Sequence, residues 1–329
     1  MKYKLRTDRV FLVVLILIAA IMLCRCVKSS HSSGESKSAK VQKIVTSETT
    51  TALVTVSPIM TTTSVTTFAK VDSPTCEAAA LYCVEDKQIL YSDNINKRVS
   101  PASLTKLLTA STALKYARSN DICTVGSEQS MVQPYSSLCG LELYDTLSLH
   151  DLITGLLMSS GNDAAYAIAA STAYSLNNSD MTDYEAVDYF VDLMNKTAAD
   201  IGMTESHFTT PDGWDDSGQY VTAADLIKLA EYALSVNEIK KIVGTAQTTA
   251  YTSEGKAFNW TNSNLFLDVN SEYYSSNVFG MKTGTTLYAG YSLITAFESH
   301  GKTYISVVAG CQSDEGRYEL SQKLMDYVK

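Results

Sequence analysis

The composition of the chain changes abruptly near residue 75, and this change confines any packed core to residues 76–329. Nearly half of residues 28–75 are Ser or Thr, and the stretch has few large apolar side chains and no helical periodicity. Such a composition buries too little apolar surface to order the backbone and is typical of a flexible linker. The 329-residue chain is nevertheless 45% apolar, which is enough for one sizeable domain after the linker.

Residues 1–27 combine positive charge with an apolar run. Four Lys or Arg side chains fall within the first nine residues, and an unbroken apolar stretch then extends from Val10 to Cys24. As a helix, that stretch spans roughly 22 Å, which fits either a short membrane span or the core of a signal peptide. Because no small-x-small cleavage site closes it, we expect an uncleaved signal-anchor with its basic end in the cytoplasm. A cleaved signal is the alternative, and in either case the domain would lie outside the cytoplasm.

Charge is divided unevenly between the two parts of the chain. Residues 1–75 contain ten Lys or Arg and four Asp or Glu, although the net charge of the whole chain is −9. The domain itself is therefore strongly acidic. A basic head on an acidic body is typical of a membrane-directed N-terminus, and an acidic domain argues against nucleic acid as a partner.

Apolar periodicity in the domain predicts strands at both of its ends. The runs Ala78–Cys83 and Gln88–Tyr91 flank a polar turn and predict one hairpin, and Tyr291–Phe297 and Tyr304–Val308 predict a second. A closing helix is predicted over residues 314–329. We expect the strands from the two ends to form a single antiparallel sheet.

Helical signals fill the region between these strands. Ser100 as N-cap and Pro101 at the first helical position predict the start of one helix. Further helices are predicted over residues 149–157, from Asp163, over residues 184–201, and after Thr222, where Asp225 gives a capping-box pattern. An antiparallel sheet built from both chain ends with an inserted helical cluster is an α+β fold.

Three short polar motifs follow one another along the domain. Ser-x-x-Lys occurs three times, but only Ser103 and Lys106 fall in the first turns of a predicted helix, where residues three apart share a face. Ser160-Gly161-Asn162 comes next, and the single Lys-Thr-Gly of the chain, Lys282-Thr283-Gly284, comes last. Each motif alone is a weak signal, but together and in this order they are the three motifs of the penicillin-binding and serine β-lactamase group.

Longer stretches around these motifs resemble the low-molecular-mass D-alanyl-D-alanine carboxypeptidases, the serine peptidases that include penicillin-binding protein 5. The similar stretches are Pro101–Lys106, Ser160–Ala165, Gly280–Thr286 and Ala289–Tyr291. The resemblance covers nearly all of residues 76–329 and implies a three-layer α+β domain of the β-lactamase/transpeptidase type.

One loop departs from the family pattern. Pro211-Asp212-Gly213-Trp214 stands where the family often has Pro-His-Gly-Leu. Because the imidazole is missing, we expect no catalytic part for this loop.

The chemistry of the first two motifs gives each residue an expected role. A serine hydroxyl is a weak nucleophile and needs a base, and since no sequence signal positions any of the four His residues, Lys106 is the candidate base for Ser103. A free Lys has a pKa near 10.4, which burial beside a second cation, Lys282, would lower. Ser160 would relay the proton to the leaving group, and Asn162 would bind the substrate amide and orient Lys106.

The third motif is expected to bind substrate. Lys282 would attract a C-terminal carboxylate, with hydroxyl contacts from Thr283 or Thr285. The backbone N–H groups of Ser103 and Thr285 would stabilise the oxyanion. Gly284 would keep the strand clear of side chains where an extended peptide must pair with it.

The resemblance implies removal of the terminal D-Ala from peptidoglycan stem peptides through an acyl-serine, and covalent trapping by β-lactams. No metal or cofactor is expected, since no Cys/His cluster has ligand spacing. The alternatives are a class A-like β-lactamase, a D,D-endopeptidase or transpeptidase, and a catalytically inactive surface-binding relative. A β-lactamase needs a carboxylate that activates water, and for that role the sequence leaves Glu185 and Glu205 open.

The seven cysteines are too few for a disulfide-stapled scaffold. Cys123 and Cys139 precede the predicted helix at Leu149 and are expected either to pair in an oxidising compartment or to stay free. Cys83 and Cys311 lie in predicted core strands, where buried free thiols are at least as consistent with the sequence.

Overall fold

The computed structural model describes residues 75–177 and 181–329. The predicted signal-anchor of residues 1–27, and the predicted linker up to residue 74, lie outside the described residues. Among the residues that are described, none of the helices has both the length and the apolar character that crossing a bilayer requires.

Most of the helices lie between strands from the two ends of the domain, as in a mixed α+β fold. The strands are β1 (Ala78–Cys83), β2 (Gln88–Asp93), β3 (Ile122–Thr124), β4 (Thr146–Ser148), β5 (Gln247–Tyr251), β6 (Ala257–Thr261), β7 (Val278–Thr286), β8 (Gly290–Ser299) and β9 (Lys302–Cys311). The helices are α1 (Thr105–Tyr116), α2 (Leu149–Met158), α3 (Asn162–Asn177), α4 (Asp183–Asp200), α5 (Ala223–Ser235), α6 (Asn237–Val243) and α7 (Asp314–Asp326).

A five-stranded antiparallel sheet joins the two ends of the domain. Its strands lie in the order β2-β1-β9-β8-β7, and β1 pairs with β9 so that Ala78 stands opposite Ala309. Both predicted hairpins, β1–β2 and β8–β9, are confirmed. The predicted sheet built from both ends is therefore confirmed, and β7, which carries the Lys-Thr-Gly motif, lies at one edge of it.

Two apolar cores cover the two faces of this sheet. Alternate side chains of β1 point to opposite faces, so Ala80 packs with the cluster that includes Leu107 of α1, and Leu81 packs with Tyr318 of α7. The inserted helices α1 to α6 contribute to the first core and α7 to the second. This arrangement gives the three layers implied by the resemblance.

The start of the first helix differs from the prediction. A 3₁₀ turn occupies Ala102–Leu104 before α1 begins, and neither segment has a side-chain N-cap. Ala102 has a φ of +48°, which interrupts the regular helix predicted from Pro101. The Ser100 hydroxyl, predicted as the cap, instead donates to Asp215 Oδ1 at 3.1 Å.

The other helix predictions hold with small differences. Helix α2 ends at Met158, before the Ser-Gly-Asn motif, as predicted. Thr222 caps α5 by accepting from the Asp225 backbone N–H at 3.1 Å. The Asp225 carboxylate does not return to Thr222 to complete a capping box but accepts from the Glu205 N–H and the Ser206 hydroxyl.

The cysteine pairing agrees with the expectations at Cys83, Cys123 and Cys139 but not at Cys311. Cys76 forms a disulfide with Cys311, while Cys83, Cys123 and Cys139 are free and buried. The expectation of a free thiol is therefore wrong for Cys311, and no Cys123–Cys139 disulfide forms. The β1–β9 pairing explains the observed bridge, because it brings Cys76, two residues before β1, beside Cys311, the last residue of β9.

We expect Cys311→Ser to lower the free energy of unfolding by about 2–4 kcal/mol, because the disulfide joins residues 235 positions apart. Urea unfolding of the full chain without reductant measures the change. As a control, reductant should destabilise the wild type but leave the variant unchanged. A Cys123–Cys139 cross-linked peptide in a non-reducing digest would contradict this assignment.

Candidate active site

A strained turn presents the serine of the first motif. Ala102 adopts the left-handed backbone region, which alanine rarely occupies, directly before Ser103. Lys106 follows in the first turn of α1 and is fully buried. Its Nζ lies 2.9 Å from Ser103 Oγ, so the two polar residues of the motif are in hydrogen-bond contact.

The Lys106 amine has three polar neighbours. Besides Ser103 Oγ, its Nζ contacts Asn162 Oδ1 at 2.7 Å and the main-chain carbonyl oxygen of Asp212 at 2.8 Å. Both of these oxygens are acceptors and take two N–H groups of the amine. In the neutral form of Lys106, the remaining lone pair is therefore directed at the serine hydroxyl.

Both lysines of the motifs are buried, and burial favours their neutral forms. Burial lowers the pKa of Lys106 to about 8, against the opposing negative charges of Asp212 and Asp163. The pKa of Lys282 falls well below its usual value, chiefly by burial and further by the positive charges of Lys106 and Arg317. A neutral amine is thus accessible beside Ser103 near physiological pH.

The second motif lies in the turn between α2 and α3. Ser160 has a φ of +56°, and Asn162 opens α3 with only 4% of its surface exposed. The Asn162 Nδ2 donates to Asp212 Oδ2 at 2.7 Å and to Ser136 Oγ at 2.9 Å. Both ends of the Asn162 amide are therefore held, one by Lys106 and the other by the loop residues.

The third motif lies on the edge strand β7. Among the described strands, β7 pairs only with β8, so its other edge is open to an extended peptide. We expected Gly284 to leave room for such a peptide, but a Cβ there would lie 3.2 Å from Ala102 Cβ and 3.3 Å from the Leu104 nitrogen. Its missing side chain instead lets β7 pack against the turn that carries Ser103.

The polar side chains of β7 have partners inside the domain. The Lys282 Nζ donates to the carbonyl oxygen of Thr283 at 3.1 Å, and Thr283 Oγ1 lies 2.8 Å from Ser263 Oγ. Thr285 Oγ1 accepts from Arg317 Nη1 at 3.1 Å. The structure thus brings Ser103, Lys106 and Asn162 into one hydrogen-bonded cluster, with β7 packed beside it.

Two residues at the site were missed by sequence reasoning. The Pro211–Trp214 loop, for which we expected no catalytic part, lies within the site, since Asp212 contacts both Lys106 and Asn162. The sequence feature that could have indicated Asp212 is that it stands where the family often has another polar residue, His. Arg317 of α7 also donates to the Gly284 carbonyl at 3.2 Å, and no motif marks it in the sequence.

The two glutamates considered for a β-lactamase are engaged elsewhere. Glu185 closes the capping box of α4 with Thr182, and Glu205 pairs with Arg98 at 2.8 Å. Both sit on the protein surface in these structural roles.

A serine held against a buried lysine, with an open edge strand beside it, is the arrangement of a serine acyl-transfer enzyme that uses lysine as its base. The family described as D-alanyl-D-alanine carboxypeptidase matches residues 66–313. The chain belongs to this family.

Curated relatives and solved structures agree with this assignment. The D-alanyl-D-alanine carboxypeptidase DacA of Haemophilus influenzae is 34% identical over 247 residues, which cover 73% of this chain and 58% of the relative. DacC of Escherichia coli is 32% identical over 270 residues, which cover 78% and 62%. The chain thus spans about three fifths of the length of these relatives. The crystal structure of the Streptomyces K15 DD-transpeptidase superposes with a TM-score of 0.69 at 29% identity, covering 78% of this chain and 98% of that one.

We expect Gly213→Ala to destabilise the domain much more than Gly255→Ala. Both glycines have positive φ, so each substitution strains the backbone by about 1–2 kcal/mol. A Cβ at position 213 would also overlap the Ala102 carbonyl oxygen, whereas a Cβ at position 255 meets no atom within 4 Å. Overpacking adds about 1–3 kcal/mol. Urea unfolding measures the difference, and equal losses in the two variants would contradict the close contact under the serine turn.

Proposed function

We propose that this chain is a serine-type D-alanyl-D-alanine carboxypeptidase that removes the terminal D-Ala from peptidoglycan stem peptides. The observation that carries the proposal is the fully buried Lys106 amine, 2.9 Å from Ser103 Oγ and with two acceptors for the two hydrogens of its neutral form. Family membership supports the same substrate class.

The reaction begins with acyl transfer to the serine. Ser103 Oγ attacks the carbonyl carbon of the penultimate D-Ala while its proton passes to the neutral Lys106 amine. The peptide C–N bond then breaks, and the departing D-Ala nitrogen takes a proton from Lys106 by way of the Ser160 hydroxyl. Water hydrolyses the acyl-serine, which restores the free hydroxyl.

The substrate binds as an extended strand along the open edge of β7. The carbonyl oxygen of the scissile bond accepts from the backbone N–H groups of Ser103 and Thr285, and the loss of one such donor typically costs about 3 kcal/mol of transition-state stabilisation. The terminal carboxylate lies near the Lys282 amine and the hydroxyls of Thr283 and Thr285, and its negative charge favours the protonated form of Lys282. Asn162 donates to a substrate amide oxygen.

A related second candidate is transpeptidation, in which an amine replaces water as the acyl acceptor. The likeness to the Streptomyces K15 DD-transpeptidase over 98% of that chain favours it. A class A-like β-lactamase is disfavoured, because Glu185 and Glu205 are both engaged away from Ser103.

We also propose that residues 1–27 anchor the enzyme in the bacterial cell membrane, with the domain on the outer side where peptidoglycan lies. The basic and apolar pattern of this segment supports the proposal. The Cys76–Cys311 disulfide adds support, because disulfides persist in oxidising compartments outside the cytoplasm.

We expect penicillin to acylate the full chain once, at Ser103, because β-lactams react with the nucleophile that attacks the peptide. Intact-mass spectrometry should show a long-lived adduct in the wild type and none in Ser103→Ala. Ser253→Ala is the matched control, since Ser253 also belongs to a Ser-x-x-Lys pair but lies outside the site.

Further outcomes of this experiment separate the alternatives. Rapid penicillin turnover without an accumulated adduct would point to a β-lactamase. Release of free D-Ala from an acyl-D-Ala-D-Ala peptide supports the carboxypeptidase, and transfer to an added amine supports the transpeptidase. If neither an adduct nor D-Ala appears, the enzyme proposal is wrong.

We expect the full chain to remain in the membrane pellet after alkaline carbonate extraction, because an apolar helix is not displaced by loss of ionic contacts. N-terminal sequencing of the pelleted protein should begin before Val10. Release into the supernatant, or an N-terminus beyond residue 27, would show a cleaved signal instead.

A further inference from the structure

We propose that Asp212 is a positioning residue for the general base, holding Lys106 and Asn162 in the orientation that serine activation requires. This inference rests on the proposed function, because it concerns how Lys106 takes the Ser103 proton. It reverses the expectation that the loop has no catalytic part.

Asp212 closes a ring of three hydrogen bonds with the other two residues. Lys106 Nζ donates to Asn162 Oδ1 at 2.7 Å, Asn162 Nδ2 donates to Asp212 Oδ2 at 2.7 Å, and Lys106 Nζ also donates to the Asp212 carbonyl oxygen at 2.8 Å. Asp212 therefore holds the lysine twice, directly through its main chain and indirectly through Asn162.

The carboxylate fixes which way the Asn162 amide points. A carboxylate oxygen accepts hydrogen bonds, so it attracts the NH₂ end of the amide and leaves the carbonyl end for Lys106. With the amide reversed, Asn162 Nδ2 would face the amine and Asn162 Oδ1 would face the Asp212 carboxylate. The hydrogen bonds of Asn162 to Lys106 and to Asp212 would both be lost. Without the Asp212 carboxylate, nothing holds the amide in the first orientation, and in the reversed one the amine keeps only the Asp212 main-chain carbonyl of its two acceptors.

The second donor of Asn162 is suited to exchange with substrate. Its partner, Ser136 Oγ at 2.9 Å, is a hydroxyl on a partly exposed loop residue and can rotate away. Asp212 by contrast is 1% exposed, and its other oxygen accepts from the Trp214 backbone N–H at 3.0 Å. A substrate carbonyl can thus replace Ser136 while Asp212 keeps the amide in place.

Charge gives the carboxylate a second, measurable effect on Lys106. The ionisable groups acting on the amine are Asp212, Asp163 of α3 and Cys139, and Lys282 of β7 is electrostatically coupled to it. Burial lowers the pKa of Lys106, and among the charges that raise it, the charge of Asp212 has the largest effect. The Asp163 carboxylate is already bound by four backbone N–H groups, those of residues 139–141 and 164. Removal of the Asp212 charge therefore destabilises the protonated lysine.

The test is the pH dependence of the acylation rate of the full chain by a fluorescent penicillin. In the wild type, the rate should rise with pH as Lys106 loses its proton, with a midpoint near the lysine pKa of about 8, and level off above it. Asp212→Asn removes the charge and keeps one oxygen acceptor for Asn162, while its NH₂ group replaces the oxygen that accepts from the Trp214 N–H. We expect its midpoint to move roughly one pH unit lower, with a high-pH rate within about fivefold of the wild type.

Asp212→Ala removes the acceptor as well as the charge. We expect the same shift of the midpoint together with a roughly 10- to 100-fold lower high-pH rate, as misplacement of a catalytic group produces. Asp216→Asn is the matched control, because Asp216 lies in the same loop but is exposed, and its midpoint should equal that of the wild type.

The outcomes separate this inference from the proposed function. If the Asp212→Asn midpoint coincides with that of the wild type, the residue is only structural and the inference is overturned, whatever happens to the rate. If the wild type itself is never acylated, the proposed function fails first. Asp212→Asn preserves the shape of the side chain, so it provides the decisive result even if Asp212→Ala does not fold.

Discussion

The burial of the Lys106 amine is the constraint on which the rest of the site depends. An ammonium group removed from water is strongly destabilised unless it is neutralised or hydrogen-bonded. Here the amine reaches Ser103, Asn162 and the Asp212 carbonyl, which together satisfy all three of its polar positions. These partners come from the 3₁₀ turn before α1, from α3 and from the loop before α5. The site therefore assembles only when the helical cluster packs.

A second buried cation makes this constraint more severe. The positive charges of Lys106 on α1 and of Arg317 on α7 add to burial in lowering the pKa of Lys282 on β7. Buried like charges destabilise a fold, so such a cluster is typical of a site that binds an anion or needs a neutral amine. The left-handed backbone at Ala102 and Ser160 fits the same view, since strain of this kind collects at functional sites.

Sequence reasoning reached much of this arrangement, because its signals are local. The two hairpins follow from short apolar runs on either side of a polar turn, and the Ser103–Lys106 contact follows from a spacing of three residues at the start of a helix. The failures have non-local causes. The Cys76–Cys311 bridge depends on the register between the first and last strands, and Arg317 reaches β7 only because α7 packs on the second face of the sheet. Asp212 contacts Lys106 through its main-chain carbonyl, and because every residue has such a carbonyl, the residue type at position 212 could not predict this contact.

The pairing of β1 with β9 has a consequence for the order in which the domain is made. The first strand finds one of its two neighbours only when the last strand has been synthesised, so much of the sheet rests on contacts between distant parts of the chain. Contacts of this kind slow folding, since a long loop must close before they form. Arg317 lies close to the C-terminal end, beyond β9. The cluster around Lys106, together with β7 and the Arg317 contacts to it, therefore cannot be completed until synthesis of the chain has passed α7.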